Sequence, residues 1–315
     1  MNKKVLIAVV AGIVVAVVFF LVKDFMAGDL NNQSATVTKA TDEKIVALST
    51  FTVIADMVRE VGGDRVESLS LTKTGVEIHA YEPTPGDLVR ASRGDILFEN
   101  GMNLELWAAK LRTNIPDMPS VVVSEGVDVL EIVEGSYEGK PNPHAWMSPR
   151  QGLIYVENIR KALVDLAPEY EEDFNANAKA YSDKLREVDV TLSESLAQLP
   201  VNNRFLVSCE GAFTYLTNDY GLTEVYLWAI NDESGGSPQQ VAKVIDIVRE
   251  NDVPAVFCES TVEPRIQMEV VRATGARLGN VLYVDSLSAE GGPAPTYLAL
   301  LQGTADTIIS GLSGE

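Results

Sequence analysis

The sequence predicts an α/β protein of two lobes, each built on a mostly parallel sheet, joined by a single long rigid helix. Three observations carry that prediction. Short apolar runs of strand length alternate with amphipathic stretches of helical spacing from about residue 44 onward. The alternation is interrupted once, between Pro168 and Leu199, by one unbroken helical stripe. It then resumes and continues to the C-terminal helix.

Each element follows from local chemistry. In the first lobe, "KIVALS" reads as a strand and "TVIADMVREVGG" as an amphipathic helix closed by glycine. "RVESLSLT" is the next strand. "TPGDLVRASRG" offers Thr84 as N-cap and Pro85 at the first helical position. "DILFEN", "LELWAAKLRT" and "SVVVSEG" continue the strand, helix, strand rhythm, and helical spacing returns from Pro149 to Leu166. The long stripe then runs Tyr170, Phe174, Ala178, Tyr181, Leu185, Val188, Leu192, Leu196, Leu199. At 1.5 Å per residue such a helix extends roughly 45 Å, longer than a lobe of about 120 residues is wide, so it is expected to span both lobes. In the second lobe the strands are "NRFLVSCEG", "TEVYLWAIN", "PAVFCES" and "NVLYVDS". The helices between them are "AFTYLTNDYG", "SPQQVAKVIDIVREN" with Ser237 as N-cap, and the stretch through "RIQMEVVRATGARLG". A last helix starts near Thr296. The boundaries are 44–167 for the first lobe, 168–200 for the linking helix and 201–315 for the second lobe.

Residues 1–26 form a different region. Val5 to Val22 is an apolar run behind Lys3 and Lys4. As a helix it rises roughly 27 Å, about the hydrocarbon thickness of a bilayer. The lysines favour a cytoplasmic start, so the rest of the chain is expected on the outer face of the cell membrane. The alternative is a signal peptide cut after Ala27, leaving a secreted or periplasmic protein; Phe25 fits that cleavage site poorly. Residues 27–43 are polar and read as a flexible tether. The net charge is -20 and no basic patch stands out, which argues against a nucleic-acid partner.

The chain has two histidines, both in proline-flanked loops: His79 in "TGVEIHAYEPTP" and His144 in "PNPHAWMSP". In open α/β sheets, ligands collect beyond the carboxyl ends of the strands. His79 and His144 follow strands of the first lobe; Glu210 in "LVSCEG" and Asp285 in "LYVDSLS" follow strands of the second. Taken singly, a loop histidine is more often a surface residue and a strand-end acid more often a helix cap. Glu259, in "VFCES", ends an equivalent strand and rivals Glu210. Together, two imidazoles facing two carboxylates would balance the charge of a first-row divalent cation across a cleft. The prolines restrict both loops before a cation arrives.

The motifs "HAYEPTPGD", "NPHAWMSP", "CEGAFTYL" with "YGL", and "LYVDSLS", in that order, resemble the solute-binding proteins of manganese, iron and zinc ABC transporters over about residues 43 to 315. The resemblance implies two α/β lobes on a rigid helix and the metal ligands His79, His144, Glu210 and Asp285, without Glu259. It implies an extracellular receptor that hands its cargo to an ABC permease and its ATPase, and no enzyme activity. Members of that family often carry a lipidated N-terminal cysteine; here the apolar helix would take its place. Zinc-binding members often have a third histidine and a His-rich loop, which this sequence does not have. Two carboxylate ligands favour Mn²⁺ as cargo, then Fe²⁺, with a Zn²⁺ receptor as the nearest alternative. More distant alternatives are a metallohydrolase using Glu82 or Glu259 as base, and an adhesin.

Cys209 and Cys258 end comparable strands, and an exported chain favours their oxidation, so a Cys209–Cys258 disulfide is expected over two buried thiols. Since Cys209 precedes Glu210, reduction is expected to weaken cation binding. An affinity that dithiothreitol leaves unchanged would break that link.

Overall fold

The computed structural model describes residues 44–200, 203–231 and 236–313. The anchor expected at 1–26 and the tether at 27–43 lie outside the described residues. Among those described, no helix is long and apolar enough to cross a membrane.

The first lobe is a four-stranded parallel sheet of order β2-β1-β3-β4, with β1 Ile45–Ser49, β2 Val66–Ser70, β3 Ile96–Glu99 and β4 Ser120–Val122. Leu48 pairs with Leu69 on one side and Leu97 on the other. Helix α1, Thr52–Gly62, packs across this sheet through Val53, Ile54, Met57, Val58 and Val61, all fully buried. Helix α2, Pro85–Ala91, starts at the expected Thr84, which forms a reciprocal capping box with Asp87. Helix α3 is Ala108–Asn114. Helix α4, Pro149–Leu166, has Ser148 as N-cap and Pro149 at its first position.

The linking helix α5 spans Glu171–Ala197, preceded by a 3₁₀ turn at Pro168–Tyr170, so it is slightly shorter than the 168–200 expected. Its N-terminal turn carries Glu171, Glu172 and Asp173, the charge sign the helix dipole favours there. The apolar stripe from Phe174 to Leu196 is buried at every position. It packs against α1 and α4 in front. Behind, it meets α6, Thr214–Tyr220, and the C-terminal helix α9, Tyr297–Ser313. One apolar core therefore runs from the front sheet through α5 to Phe213, Leu216, Leu301 and Ile308 of the rear half. Helix and shared core together join the two halves.

A second core lies under the rear strands and includes Val207, Val225, Leu227, Val244, Val248 and Val270. Strand β5, Phe205–Glu210, pairs in parallel with β6, Thr223–Trp228. Helix α7, Pro238–Glu250, begins at Ser237, whose side chain accepts from Gln240 N–H. Strand β7 is only Ala255–Val256 and pairs with β8, Arg277–Leu278, directly after helix α8, Gln267–Thr274. The strand expected at "NVLYVDS" is not continuous: Leu282 alone pairs, with Glu259, in a parallel bridge. Gly279 N–H still donates to Val256 O at 2.8 Å and Leu282 N–H to Cys258 O at 3.0 Å, with the strand interrupted between them. The Phe257 ring lies so close to Gly279 that a Cβ there would sit 2.4 Å from it, which requires glycine at this point.

Cys209 and Cys258 are disulfide-bonded, with Cα atoms 4.9 Å apart across a separation of 49 residues. Closing a loop of that length removes unfolded-state entropy equivalent to about 4 kcal/mol in the chain-entropy picture. Replacing both cysteines with alanine is expected to lower unfolding free energy by about 2–4 kcal/mol in a denaturant titration. An unchanged midpoint and slope would show that the bridge adds no stability.

Candidate metal centre

Four side chains from distant parts of the chain meet between the two halves. One ligand atom from each of His79, His144, Glu210 and Asp285 lies within 4.8 Å of the others. His79 Nε2 is 3.2 Å from His144 Nε2 and 3.3 Å from Glu210 Oε1. His144 Nε2 is 3.7 Å from Glu210 Oε1 and 3.8 Å from Asp285 Oδ1. Donors placed about 2.1 Å from one shared ion at tetrahedral angles sit roughly 3.4 Å apart. The spacing thus suits a single small cation.

Each ligand atom is aimed by neighbours. His79 follows Ile78, a buried residue whose carbonyl accepts Trp107 Nε1–H at 3.0 Å. Its own backbone N–H donates to Glu77 Oε1 at 2.8 Å. His144 Nδ1 lies 2.8 Å from Asn142 Oδ1, and its backbone N–H donates to the same oxygen. The Asn142 amide N–H₂ is committed to Gly211 O at 2.7 Å and Thr214 Oγ1 at 2.9 Å. Its oxygen must therefore face the imidazole, which puts the proton on Nδ1 and leaves the Nε2 lone pair for a cation. Trp146 stacks at a tilt on His144 and donates from Nε1 to Val284 O, the residue before Asp285. Glu210 ends β5 opposite Trp228, and Asn231 N–H donates to its Oε1 at 2.6 Å. Gly211 permits this approach: a Cβ there would meet the Tyr226 ring at 3.0 Å and Ala229 O at 3.1 Å.

The electrostatics favour a cation. His144 and Glu210 are fully buried, and Asp285 is nearly so. Burial, then the neighbouring Glu77 charge, pushes the Glu210 carboxyl well above the usual range. Burial and then Glu210 do the same to Asp285. Burial, then His79, holds His144 well below the ordinary imidazole value, in its neutral, ligating form. Glu210 Oε2 and Asp285 Oδ1 are buried without a hydrogen-bond partner among the described residues. Isolated charge is costly in such a place, and a divalent cation removes that cost.

All four residues singled out from the sequence are brought together. The rival Glu259 is not with them. It is buried behind Glu210, and its Oε2 accepts Glu210 N–H at 3.2 Å. Glu82 is an exposed residue at the edge of a neighbouring cavity. Sequence reasoning missed Asn142, Glu77 and Asn231. Asn142 stands two residues before His144 inside a quoted motif. Asn231 stands three residues past β6, where the strand-end rule that found the acids would have found it, had neutral amides been considered.

Comparisons with known proteins bear on the fold and the family. Residues 47–311 match the family model described as ZnuA, zinc-uptake complex component A, periplasmic. The iron-binding protein YfeA of Yersinia pestis is 52% identical over 271 residues, covering 86% of this chain and 87% of that protein. The manganese ABC transporter substrate-binding lipoprotein PsaA of Streptococcus anginosus is 33% identical over 278 residues, covering 86% and 90%. Among solved structures, the Mn-bound periplasmic metal binding protein from Candidatus Liberibacter asiaticus aligns with a TM-score of 0.80 at 36% identity, covering 85% of this chain and 100% of that one. A two-lobed fold and a family match across most of the folded residues lead to one conclusion: this chain belongs to the ZnuA family of periplasmic metal-binding, substrate-binding proteins of ABC transporters.

Proposed function

We propose that the chain captures Mn²⁺ or Fe²⁺ outside the cytoplasm, with His79, His144, Glu210 and Asp285 as its ligands, and passes the ion to an ABC permease driven by its ATPase. The observation that carries this reading is the convergence of two imidazole nitrogens and one oxygen from each of two buried carboxylates, Glu210 and Asp285, on one point. Two neutral imidazoles and two carboxylates match a 2+ charge without residue. Their mixed nitrogen and oxygen character suits manganese and ferrous iron. The names of relatives support that cargo class: iron for YfeA and manganese for PsaA.

The family model takes its description from zinc uptake, and zinc outcompetes manganese at most nitrogen and oxygen sites in dilute solution. The proposed preference is therefore one of supply and of ligand set, and zinc binding by the purified protein is compatible with it. Binding, not turnover, is the proposed chemistry. The donors are oriented by Asn142, Asn231 and Trp146, and Glu259, the base of the hydrolase alternative, accepts a hydrogen bond from the backbone N–H of Glu210.

Elemental analysis of the folded body, purified without chelator, tests the ligand set. His79→Ala and Asp285→Ala are each expected to cut metal content to a small fraction of wild type. Wild-type content in both would refute the set. Asn142→Ala leaves every ligand in place but frees the His144 ring. It is expected to weaken Mn²⁺ binding by about 10–100-fold in a calorimetric titration. An unchanged affinity would mean that the buried packing around Trp146 orients the ring unaided.

A further inference from the structure

Two cavities lie beside the site, one lined by His79 and the other by Glu77 and Asn231, which hold its ligands. One, of about 300 Å³, reaches His79 between Met102, Leu106, Ile132 and Ile230 and is mainly apolar. The other, of about 390 Å³, is lined by Glu77, Glu82, Asn231 and Thr261 together with Val76 and Tyr81. Thr261 Oγ1 is buried there without a partner among the described residues. A hydrated cation sheds water reluctantly, so it approaches along polar, anionic walls and not apolar ones. The acidic cavity is the route that fits it.

Glu77 and Asn231 meet at this cavity. Asn231 Nδ2 donates to Glu77 Oε2 at 2.7 Å, across 154 residues of sequence and from one lobe to the other. Both partners also hold ligands. The other oxygen of Glu77 accepts the backbone N–H of His79 at 2.8 Å. Asn231 holds Glu210 through its backbone N–H at 2.6 Å and Asp285 Oδ2 through its amide at 3.2 Å. Three of the four ligands are thus tied to a single cross-lobe hydrogen bond. Glu77 is not one of the converging ligands; it acts on the site through the residues it holds.

We infer that Glu77 is a positioning residue for cation capture, and that its bond to Asn231 is the latch between the acidic cavity and the ligands. With the latch closed, His79 is registered against the two acids. With it open, His79 loses its anchor and the cation gains a path to Glu77, Glu82 and solvent. This rests on the metal-capture reading above.

The test uses Mn²⁺ itself as probe, with release into excess chelator followed by stopped flow and the bound ion followed by electron paramagnetic resonance. Glu77→Ala is expected to speed release at least tenfold and to alter the spectrum of bound Mn²⁺. The melting temperature of the metal-free protein should stay near wild type. Glu77→Gln keeps an oxygen for His79 N–H and is expected to fall between the two. Because the residues act as one unit, Glu77→Ala combined with Asn231→Ala should be no faster than the faster single variant. Wild-type release by Glu77→Ala, alongside lost binding by Asp285→Ala, overturns the latch and leaves the metal site standing. Additive effects in the double variant, or a metal-free protein whose melting temperature falls in step with faster release, also overturn it. Wild-type binding by Asp285→Ala would instead overturn the metal site beneath it.

Discussion

Two carboxylates, Glu210 and Asp285, are taken out of water within a few ångströms of each other, and the rest of the molecule is arranged around that cost. Each has an oxygen with no hydrogen-bond partner among the described residues. Burial drives both towards the protonated form, and each charge raises the cost of the other or of its neighbours. In an ordinary protein such a pair would be selected against or bridged by a cationic side chain. Here the two groups that face them are imidazoles, one of them held neutral by burial. A neutral imidazole cannot cancel two negative charges, but it offers a lone pair. On the proposed reading, a cation among these four groups would offset that cost.

That arrangement has a mechanical requirement. The acids come from the rear lobe and the imidazoles from the front lobe, so the halves must be held in register to a fraction of an ångström. The 27-residue helix α5 does part of this by packing one buried stripe against helices of both halves. The continuous core that it shares with α1, α4, α6 and α9 does the rest. Polar contacts reinforce the join. Ser148 Oγ–H donates to Asp219, Arg150 pairs with Asp189 and donates to the Asp219 carbonyl, and Tyr215 OH donates to Asn142 O. Prying the lobes apart would expose this core, so a wide hinge motion is disfavoured.

Much of this was legible in the sequence, and the parts that were not share a cause. The long stripe from Phe174 to Leu196, the capped starts at Thr84 and Ser237, and the four converging residues all depend on local pattern or on strand-end position. The fragmented rear sheet does not. Only Leu282 of "NVLYVDS" pairs, with Glu259, and which residue of an apolar run finds a partner is settled by segments distant in sequence, which no spacing rule encodes. The orienting amides escaped for a related reason. Prolines beside His144 restrict the backbone, but the atom that sets the ring's tautomer is Asn142 Oδ1, and its aim is decided by Gly211 and Thr214 in the other lobe. A residue whose role is set by a distant backbone carbonyl has no local signature.

The two histidines are not held equally, and this asymmetry bears on release. His144 is fully buried, hydrogen-bonded at Nδ1, and flanked by Trp146, which is itself fastened to Val284 in the rear lobe. The His79 side chain keeps a slight exposure, 8%, on an irregular loop, and its backbone is tied to the rear lobe through Glu77 and Asn231. A frame that resists hinge opening must let its ion go by a local change. The energetically easier change lies at the imidazole that is not fully buried. On the proposed reading, a permease that displaces the 73–84 loop would withdraw one nitrogen and the latch together. Two carboxylates and His144 would remain, a ligand set too incomplete to retain an ion against a better site nearby.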